Sequence, residues 1–345
     1  MPVSVDSDRS CFGSQGGFTW PHRKTPSQRS ENSSQYVTIG LINNMAHAAF
    51  RATERQFISI LDSASEGIPI RLSFYSLLDV PGPDPGGDNG VCNYQSIDTL
   101  LEANLDGLIV TGKEPITSNL KDEPYWQSFT QVLEWARDNT HSTVWSCLAA
   151  HAAVLYLDGI ERRKSDDKHF GAFECARVSN HPLIAGTPTR FLVPHSRWNG
   201  VAEEELTACG YSVLARTTGA GVDTFVKQGK SLFVFFQGHL EYESQTLLRE
   251  YLRDVGRYLR YEAATYPSLP VSYFDCRTES VLNALRERAM VCRSEDLFAH
   301  VATALEAARV KNKWHRIATG VYRNWLEYIC ERKDARQLDG DAIVA

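Results

Sequence analysis

Short apolar segments alternate with helical segments through residues 36–156, and this alternation constrains the fold more than any other feature of the chain. Segments 70–75 and 107–110 are mostly apolar, whereas residues 125–135 place large apolar side chains at helical spacing. Strands that alternate with helices form parallel sheets covered on both faces. The predicted strands are 36–41, 70–75, 107–110 and 143–146, and the predicted helices are 48–61, 125–135 and 147–156. The sequence therefore predicts an α/β, three-layer fold with a mostly parallel sheet.

The second half of the chain has a different pattern, with several short strands followed by long helices. The strands predicted at 191–194, 211–216, 222–227 and 232–236 have turn residues between them and extend the sheet in mixed orientation. Helices are predicted at 245–261, 277–312 and 314–328. We expect a flexible tail at 1–35, an α/β domain at 36–275 and a helical C-terminal extension at 276–345 that packs on the same domain. Residues 81–90 are rich in proline, glycine and aspartate and predict a loop.

Composition excludes several classes of function. The net charge of −6 argues against non-specific nucleic-acid binding, and no segment reaches the roughly 20 apolar residues that span a bilayer. The start of the chain lacks a signal-peptide core, so we expect a cytoplasmic protein without membrane or nucleic-acid partners. The eight cysteines form no CxxC pair, which indicates free thiols and no zinc site. Without a GxGxxG or GxxxxGK[ST] motif, the sequence predicts no nucleotide cofactor.

The clearest local motif is the segment 144–150, in which an apolar strand ends at Cys147 and small residues begin a helix. This order is typical of a nucleophile elbow. A thiolate at a helix N-terminus is stabilised by the helix dipole, and the unpaired N–H groups there can bind an oxyanion. The alternative interpretation is a buried structural cysteine at a strand end, and the local sequence favours neither.

A candidate base for this thiol follows the very apolar strand 232–236. His239 and Glu241 lie just beyond its end, and in an extended segment their side chains would share one face. Glu241 would then orient the imidazole of His239. Taken singly, these residues are more often a loop histidine and a solvated charge. His195 and His151 are weaker candidates, because the first only follows another strand and the second lies one turn into a helix.

Several segments, taken together and in order, resemble the homoserine O-succinyltransferase family. The matching segments are 108–112, 125–126, 132–135, 147–153, 194–197, 238–242, 245–247, 250–254 and 324–326. The resemblance implies a class I glutamine amidotransferase-like (flavodoxin-like) fold. It also implies an acyl-CoA-dependent O-acyltransferase of methionine biosynthesis that acts on homoserine by a ping-pong mechanism and forms a homodimer. No cofactor is implied, because acetyl-CoA or succinyl-CoA is a co-substrate.

The resemblance also implies roles for particular residues. Cys147 would form the acyl-enzyme, His239 would be the general base and Glu241 its orienting partner. Backbone N–H groups of Leu148 and of the Gly112–Lys113 turn would bind the oxyanion. The positions that contact substrate in the family correspond to Lys168, Ser196 and Arg253, and an arginine suits a carboxylate because it can form a bidentate pair.

Two departures from the family pattern affect the choice of substrate. Residues 43–51 lack the lysine pair that family members have after the first strand. The acyl-chain discriminator falls at Ile116, whose bulk favours an acetyl donor, although Lys113 nearby could pair with a succinyl carboxylate. Three alternatives stay open: a serine acceptor, a glutaminase-like cysteine hydrolase, and a non-catalytic descendant that binds a metabolite.

Overall fold

The computed structural model describes residues 3–5, 36–45, 47–77 and 94–344. The predicted tail at 1–35, apart from Val3–Val5, and the predicted loop at 81–90 lie outside this part of the chain. The described strands are β1 (Val3–Val5), β2 (Val37–Ile42), β3 (Ile70–Tyr75), β4 (Tyr94–Gln95), β5 (Gly107–Val110), β6 (Ser142–Ser146), β7 (Arg163–Arg177), β8 (Arg190–Gly200), β9 (Ser212–Thr217), β10 (Gly221–Gln228) and β11 (Leu232–Phe236).

Among the described residues, the α-helices occupy more positions than the strands do, and the longest helix, α9, lies at the C-terminal end. They are α1 (His47–Ala64), α2 (Ile97–Glu102), α3 (Trp126–Asn139), α4 (Leu148–Asp158), α5 (Glu203–Ala208), α6 (Thr246–Leu259), α7 (Cys276–Val291), α8 (Asp296–Glu306) and α9 (His315–Val344). None of these helices combines the length and apolar character that crossing a membrane requires.

The chain divides into two units, which we describe separately. The first unit comprises Met1–Tyr156, Lys227–Val234 and Tyr322–Ala345, and the second comprises Leu157–Val226 and Phe235–Val321. The C-terminal helices are thus shared between the units, with residues 276–321 in the second and 322–345 in the first. The domain boundary predicted at residue 275 stays a prediction.

The first unit contains a parallel sheet with the strand order β1-β3-β2-β5-β6-β11, and β4 also pairs with β3. Strands β2, β3, β5 and β6 are parallel, with Ile39 opposite Gly107 and Leu108 opposite Thr143. Their side chains are buried on both faces, which explains why the sequence of β5 is entirely glycine and aliphatic residues. Helix α3 buries Phe129, Val132, Leu133 and Ala136, a spacing that forms one apolar stripe.

The second unit contains an antiparallel arrangement in the order β10-β9-β7-β8. The prediction of mixed strand orientation is confirmed, and the α/β class with a mostly parallel sheet is confirmed with it. Strand β7 was not predicted, because its first half reads RKSDDKH and has no apolar alternation. The helical structure predicted at 277–312 consists of two helices, since α7 ends at Val291 and α8 begins at Asp296.

Helices α6, α7 and α8 build the apolar core of the second unit with Trp314. The indole Nε1 of Trp314 donates a 2.7 Å hydrogen bond to the carbonyl oxygen of Tyr242, just after β11. In the first unit, Trp325 Nε1 donates to Ser142 Oγ at 2.9 Å. The side chains of Trp314, Tyr322 and Trp325, in and just before α9, are therefore buried in the core.

Candidate active site

Cys147 occupies the single residue between β6 and α4 in the first unit. Its φ angle is 53°, in the left-handed region that non-glycine residues rarely adopt. Its thiol is free and partly buried. The Cys147 carbonyl accepts hydrogen bonds from Ala150 N and His151 N, which begin the helix. A strained turn that presents a side chain at a helix N-terminus is the geometry of a nucleophile elbow.

The Gly112 turn lies directly against the start of α4. A Cβ atom added to Gly112 would come within 2.7 Å of Leu148 N and 2.9 Å of Leu148 Cβ, so only glycine fits here. Asn44 holds the preceding residue from the other side: Asn44 N donates to Thr111 Oγ1 at 2.8 Å, and Asn44 Nδ2 donates to the Thr111 carbonyl at 2.9 Å. Within the first unit, the turn and the elbow are therefore fixed next to each other.

The loop after Gly112 is organised by the buried carboxylate of Glu123. Its Oε1 accepts hydrogen bonds from Ile116 N at 2.8 Å, Thr117 N at 2.7 Å and Thr117 Oγ1 at 2.6 Å. The backbone of this loop is therefore anchored, while the Ile116 side chain is 70% exposed. The Lys113 ammonium lies 5.7 Å from the centre of the Tyr125 ring, within cation–π range.

His239 and Glu241 form a buried pair in the second unit, with His239 Nδ1 2.7 Å from Glu241 Oε1. The reason given for their contact was wrong, because the segment is not extended. It makes a turn closed by a hydrogen bond from Tyr242 N to the His239 carbonyl. The Tyr242 ring stacks on the imidazole with centroids 4.2 Å apart. Since Nδ1 faces a carboxylate, it carries a proton, and Nε2 of a neutral ring is left as the basic nitrogen.

Lys168 and Arg253, both predicted to bind substrate, meet at one carboxylate in the second unit. Lys168 Nζ lies 3.1 Å from Asp254 Oδ2, and Arg253 contacts Asp254 Oδ1 at 2.8 Å. Two cations and one anion leave this group with a net charge of +1. The third predicted residue, Ser196, donates a 2.5 Å hydrogen bond to Glu250, which also accepts from Tyr242 at 2.6 Å.

Sequence reasoning missed three residues of this site: Tyr242, Glu250 and Asp254. Glu250 and Asp254 are four residues apart on α6, so they lie on one face of the helix. This four-residue spacing can be recognised in the sequence, and both residues lie in the segment 250–254 that resembles the family. Their partners on β7 and β8 were not readable, because the approach of those strands to α6 is a tertiary feature.

One cluster in the second unit has the residue types of a metal site. Ligand atoms of Cys175, His195 and Asp223, all buried, lie within 4.8 Å of one another. The donor set does not fit a metal, because Arg197 Nε donates to His195 Nδ1 and thereby places the imidazole proton on Nε2. That Nε2 lies 3.2 Å from Asp223 Oδ1. Burial also raises the pKa of the Cys175 thiol far above its ordinary value. The other weak candidate, His151, is buried within α4.

Together these features define an α/β protein that carries a cysteine at a strand–helix elbow and a buried histidine–glutamate pair after another strand. Comparison with known proteins specifies the class further. Residues 22–336 match the family model described as homoserine O-succinyltransferase. The chain therefore belongs to the homoserine O-succinyltransferase family, and it is an acyltransferase. The predicted family and the predicted class of enzyme are confirmed.

Individual relatives cover nearly the whole chain. A homoserine O-succinyltransferase of Rhodopseudomonas palustris is 42% identical over 305 residues, which span 88% of this chain and 91% of the relative. One of Methylorubrum extorquens is 41% identical over 332 residues, 96% of each chain. Among solved structures, a glutamine amidotransferase of Thermotoga maritima is matched at a TM-score of 0.48 and 12% identity, over 86% of this chain and 99% of that chain.

Proposed function

We propose that the chain transfers an acyl group from acyl-CoA to the hydroxyl of homoserine through a covalent intermediate on Cys147. The observation that carries the proposal is the conformation of Cys147, which presents a free thiol at the N-terminus of α4 at a φ angle of 53°. A helix N-terminus stabilises a thiolate, and thiolates attack thioesters readily. The names of the two relatives described above, both homoserine O-succinyltransferases, support homoserine as the acceptor.

The first half-reaction forms the acyl-enzyme. The Cys147 thiolate attacks the thioester carbonyl, and the oxyanion that develops is stabilised by N–H groups of Leu148 and the Gly112 turn. The carbon–sulfur bond to CoA then breaks, and the CoA thiolate takes a proton from the His239 imidazolium. In this step His239 is the acid, and Glu241 offsets its charge through the 2.7 Å contact at Nδ1.

The second half-reaction transfers the acyl group to the acceptor. His239 Nε2 takes the hydroxyl proton of homoserine as the oxygen attacks the acyl-cysteine carbonyl. The Cys147 thiolate leaves, and the proton on His239 is available for the next cycle. Cys147 follows the C-terminal end of β6 and His239 follows that of β11, which supports this assignment.

The charges around α6 suit an amino-acid acceptor. The group formed by Lys168, Arg253 and Asp254 has a net charge of +1 and would attract the acceptor's carboxylate. The Glu250 carboxylate, bonded to Ser196 and Tyr242, is an anionic neighbour for the acceptor's ammonium. A zwitterion with a side-chain hydroxyl matches both charges.

The identity of the acyl donor rests on two opposing arguments. The bulk of Ile116 favours acetyl, whereas the names of relatives above 40% identity favour succinyl. The Ile116 side chain is 70% exposed and fills no packed space, so its bulk leaves room for a longer chain. We therefore propose succinyl-CoA as the donor. The homodimer and the cytoplasmic location stay predictions.

Substrate choice is tested by CoA release from acetyl-CoA and succinyl-CoA, each with homoserine, with serine and with no acceptor. We expect succinyl-CoA with homoserine to give the highest kcat/KM, by at least about tenfold over the other pairs. Fast CoA release without acceptor would instead indicate a hydrolase. Ammonia released from glutamine would indicate a glutaminase, and tight CoA binding without turnover would contradict catalysis.

Replacing Gly112 by alanine tests the proposed oxyanion turn. The new methyl group would lie 2.7 Å from Leu148 N, so the turn or the helix start must shift. We expect acyl-enzyme formation, measured by stopped-flow CoA release, to slow by about 10- to 100-fold. Gly320→Ala is the matched control, because beyond its chain neighbours and the nearby backbone of α9 the added Cβ meets no described heavy atom within 4 Å. Equal rates in the two variants would contradict the assignment.

A further inference from the structure

His195 and Asp223 form an ion-pair-like contact that the proposed chemistry does not use. Both belong to the second unit, and their side chains are 0% and 1% exposed. His195 lies on β8 and Asp223 on β10, with Nε2 and Oδ1 3.2 Å apart. A fully buried polar pair is costly to fold, so its position calls for a physical explanation.

The surroundings fix the protonation of the pair. Burial lowers the pKa of His195 to about 4, so the ring is neutral at pH 7. Arg197 Nε donates to Nδ1 at 3.2 Å, which leaves the single ring proton on Nε2, and this atom lies 3.3 Å from Thr217 Oγ1 and 3.2 Å from Asp223 Oδ1. Burial disfavours the Asp223 carboxylate, but hydrogen bonds from His195 and Thr224 outweigh it and lower its pKa. The positive charge of the Arg197 guanidinium also favours the charged form of Asp223 and lowers its pKa.

Strands β8 and β10, which carry His195 and Asp223, also form backbone hydrogen bonds to the segment that contains the proposed base, His239. Pro194, next to His195, accepts a 2.8 Å hydrogen bond from His239 N through its carbonyl. The carbonyl of Asp223 itself accepts from Gln237 N at 2.9 Å. The contact between His195 and Asp223 therefore links the two strands whose backbone carbonyls accept hydrogen bonds from His239 N and Gln237 N.

Gly238 shows how closely this segment fits between the strands. A Cβ atom added to Gly238 would lie 2.4 Å from Val193 Cγ1 and 2.9 Å from Asp223 Oδ1. The residue before His239 is thus in direct contact with the Asp223 carboxylate and with β8. Any change in the distance between β8 and β10 would move the backbone of His239.

We propose that His195 and Asp223 are positioning residues that hold the His239 imidazole at the angle needed for proton transfer. The inference rests on the proposed role of His239 as the general base. A misplacement of about 1 Å at a catalytic group lowers the rate of the chemical step by about 100-fold. Loss of the contact between His195 and Asp223 should therefore lower kcat and leave the KM values nearly unchanged.

The test uses two amides that mimic different ring nitrogens of His195. His195→Asn keeps an oxygen near Nδ1 for Arg197 but cannot reach Asp223, whereas His195→Gln restores an N–H near Nε2. We expect His195→Asn to lower kcat by about 100-fold with KM for both substrates within about threefold, and His195→Gln to recover kcat to within about fivefold of the native enzyme. The rate at which iodoacetamide alkylates Cys147 should fall in the asparagine variant and recover in the glutamine variant.

Controls separate this inference from its alternatives. Cys175→Ala should keep native kcat, because the thiol contacts Thr217 and holds neither backbone hydrogen bond to residues 237–239. A loss of kcat equal to that of His195→Asn would indicate a metal site and overturn the proposal. Equal kcat in the asparagine and glutamine variants would also overturn it. If His195→Asn does not fold, the Asp223→Asn variant tests the same contact. We expect its kcat to fall by about tenfold, and a native kcat would contradict the proposal.

A His239→Ala variant distinguishes this inference from the proposed function. If His239→Ala keeps full turnover, the assignment of the base fails. If His239→Ala is inactive while a folded His195→Asn variant has native kcat, only the inference fails. On the His239→Ala background, His195→Asn should have no further effect on the residual rate, because there is no imidazole left to position.

Discussion

Replacing Cys147 by alanine is expected to lower kcat with succinyl-CoA and homoserine by about 10⁴-fold or more, since the covalent route has no other nucleophile. The thiol lies at a strained elbow, and alanine removes it while keeping a Cβ at this position. Thermal unfolding should change little, because the thiol is only partly buried. The measurement is steady-state CoA release with the unfolding temperature recorded in parallel.

The matched control for this variant is Cys209→Ala. Cys209 is also free and partly buried, but it is the C-cap residue of α5 and has no role in the proposed chemistry. We expect native kcat and KM from it. Turnover by Cys147→Ala at more than a few per cent of the native rate would show that acyl transfer does not pass through this sulfur.

The second large effect is expected at His239. His239→Ala should lower kcat by about 10³- to 10⁴-fold, since the same imidazole protonates the leaving CoA and deprotonates the acceptor hydroxyl. Both half-reactions should be affected, and stopped-flow CoA release measures the first one separately. His300→Ala is the control, because His300 is an exposed histidine on α8. A defect confined to the second half-reaction would contradict a shared acid–base role.

Glu241→Gln tests how the imidazole is oriented. The amide keeps the shape of the carboxylate at the 2.7 Å contact with Nδ1 but removes its charge and can also present an N–H. The His239 ring then loses its preference for the tautomer with basic Nε2, and the imidazolium loses its counter-charge. We expect kcat to fall by about 10²- to 10³-fold, less than in His239→Ala. A fall equal to that of His239→Ala would indicate that Glu241 takes part in the chemistry directly.

The sequence was informative where burial alone determines structure. Strand β11, Leu232–Phe236, was predicted with its exact bounds because every one of its residues is apolar and buried. Strand β7 could not be predicted from its own residues, since 163–169 are polar and become a strand only by pairing with β8. The break between α7 and α8 was missed for a similar reason, as the segment between them is rich in charged residues that also suit a helix.

The sequence predicted individual residues of the candidate site but not the contacts between them. Cys147 was found from the change of strand to helix, and the structure places it at an elbow with positive φ. His239 and Glu241 were found from their spacing, although a turn brings them together and not an extended strand. The contacts of α6 with Lys168 and Ser196 depend on tertiary packing, which no local pattern encodes.

The most direct test of the central claim is the mass of the intact enzyme after brief exposure to succinyl-CoA without acceptor. The account predicts an increase equal to one succinyl group, located by peptide mapping on Cys147 and lost when homoserine is added. Turnover in the absence of any such adduct, or an adduct on a residue other than Cys147, would contradict it.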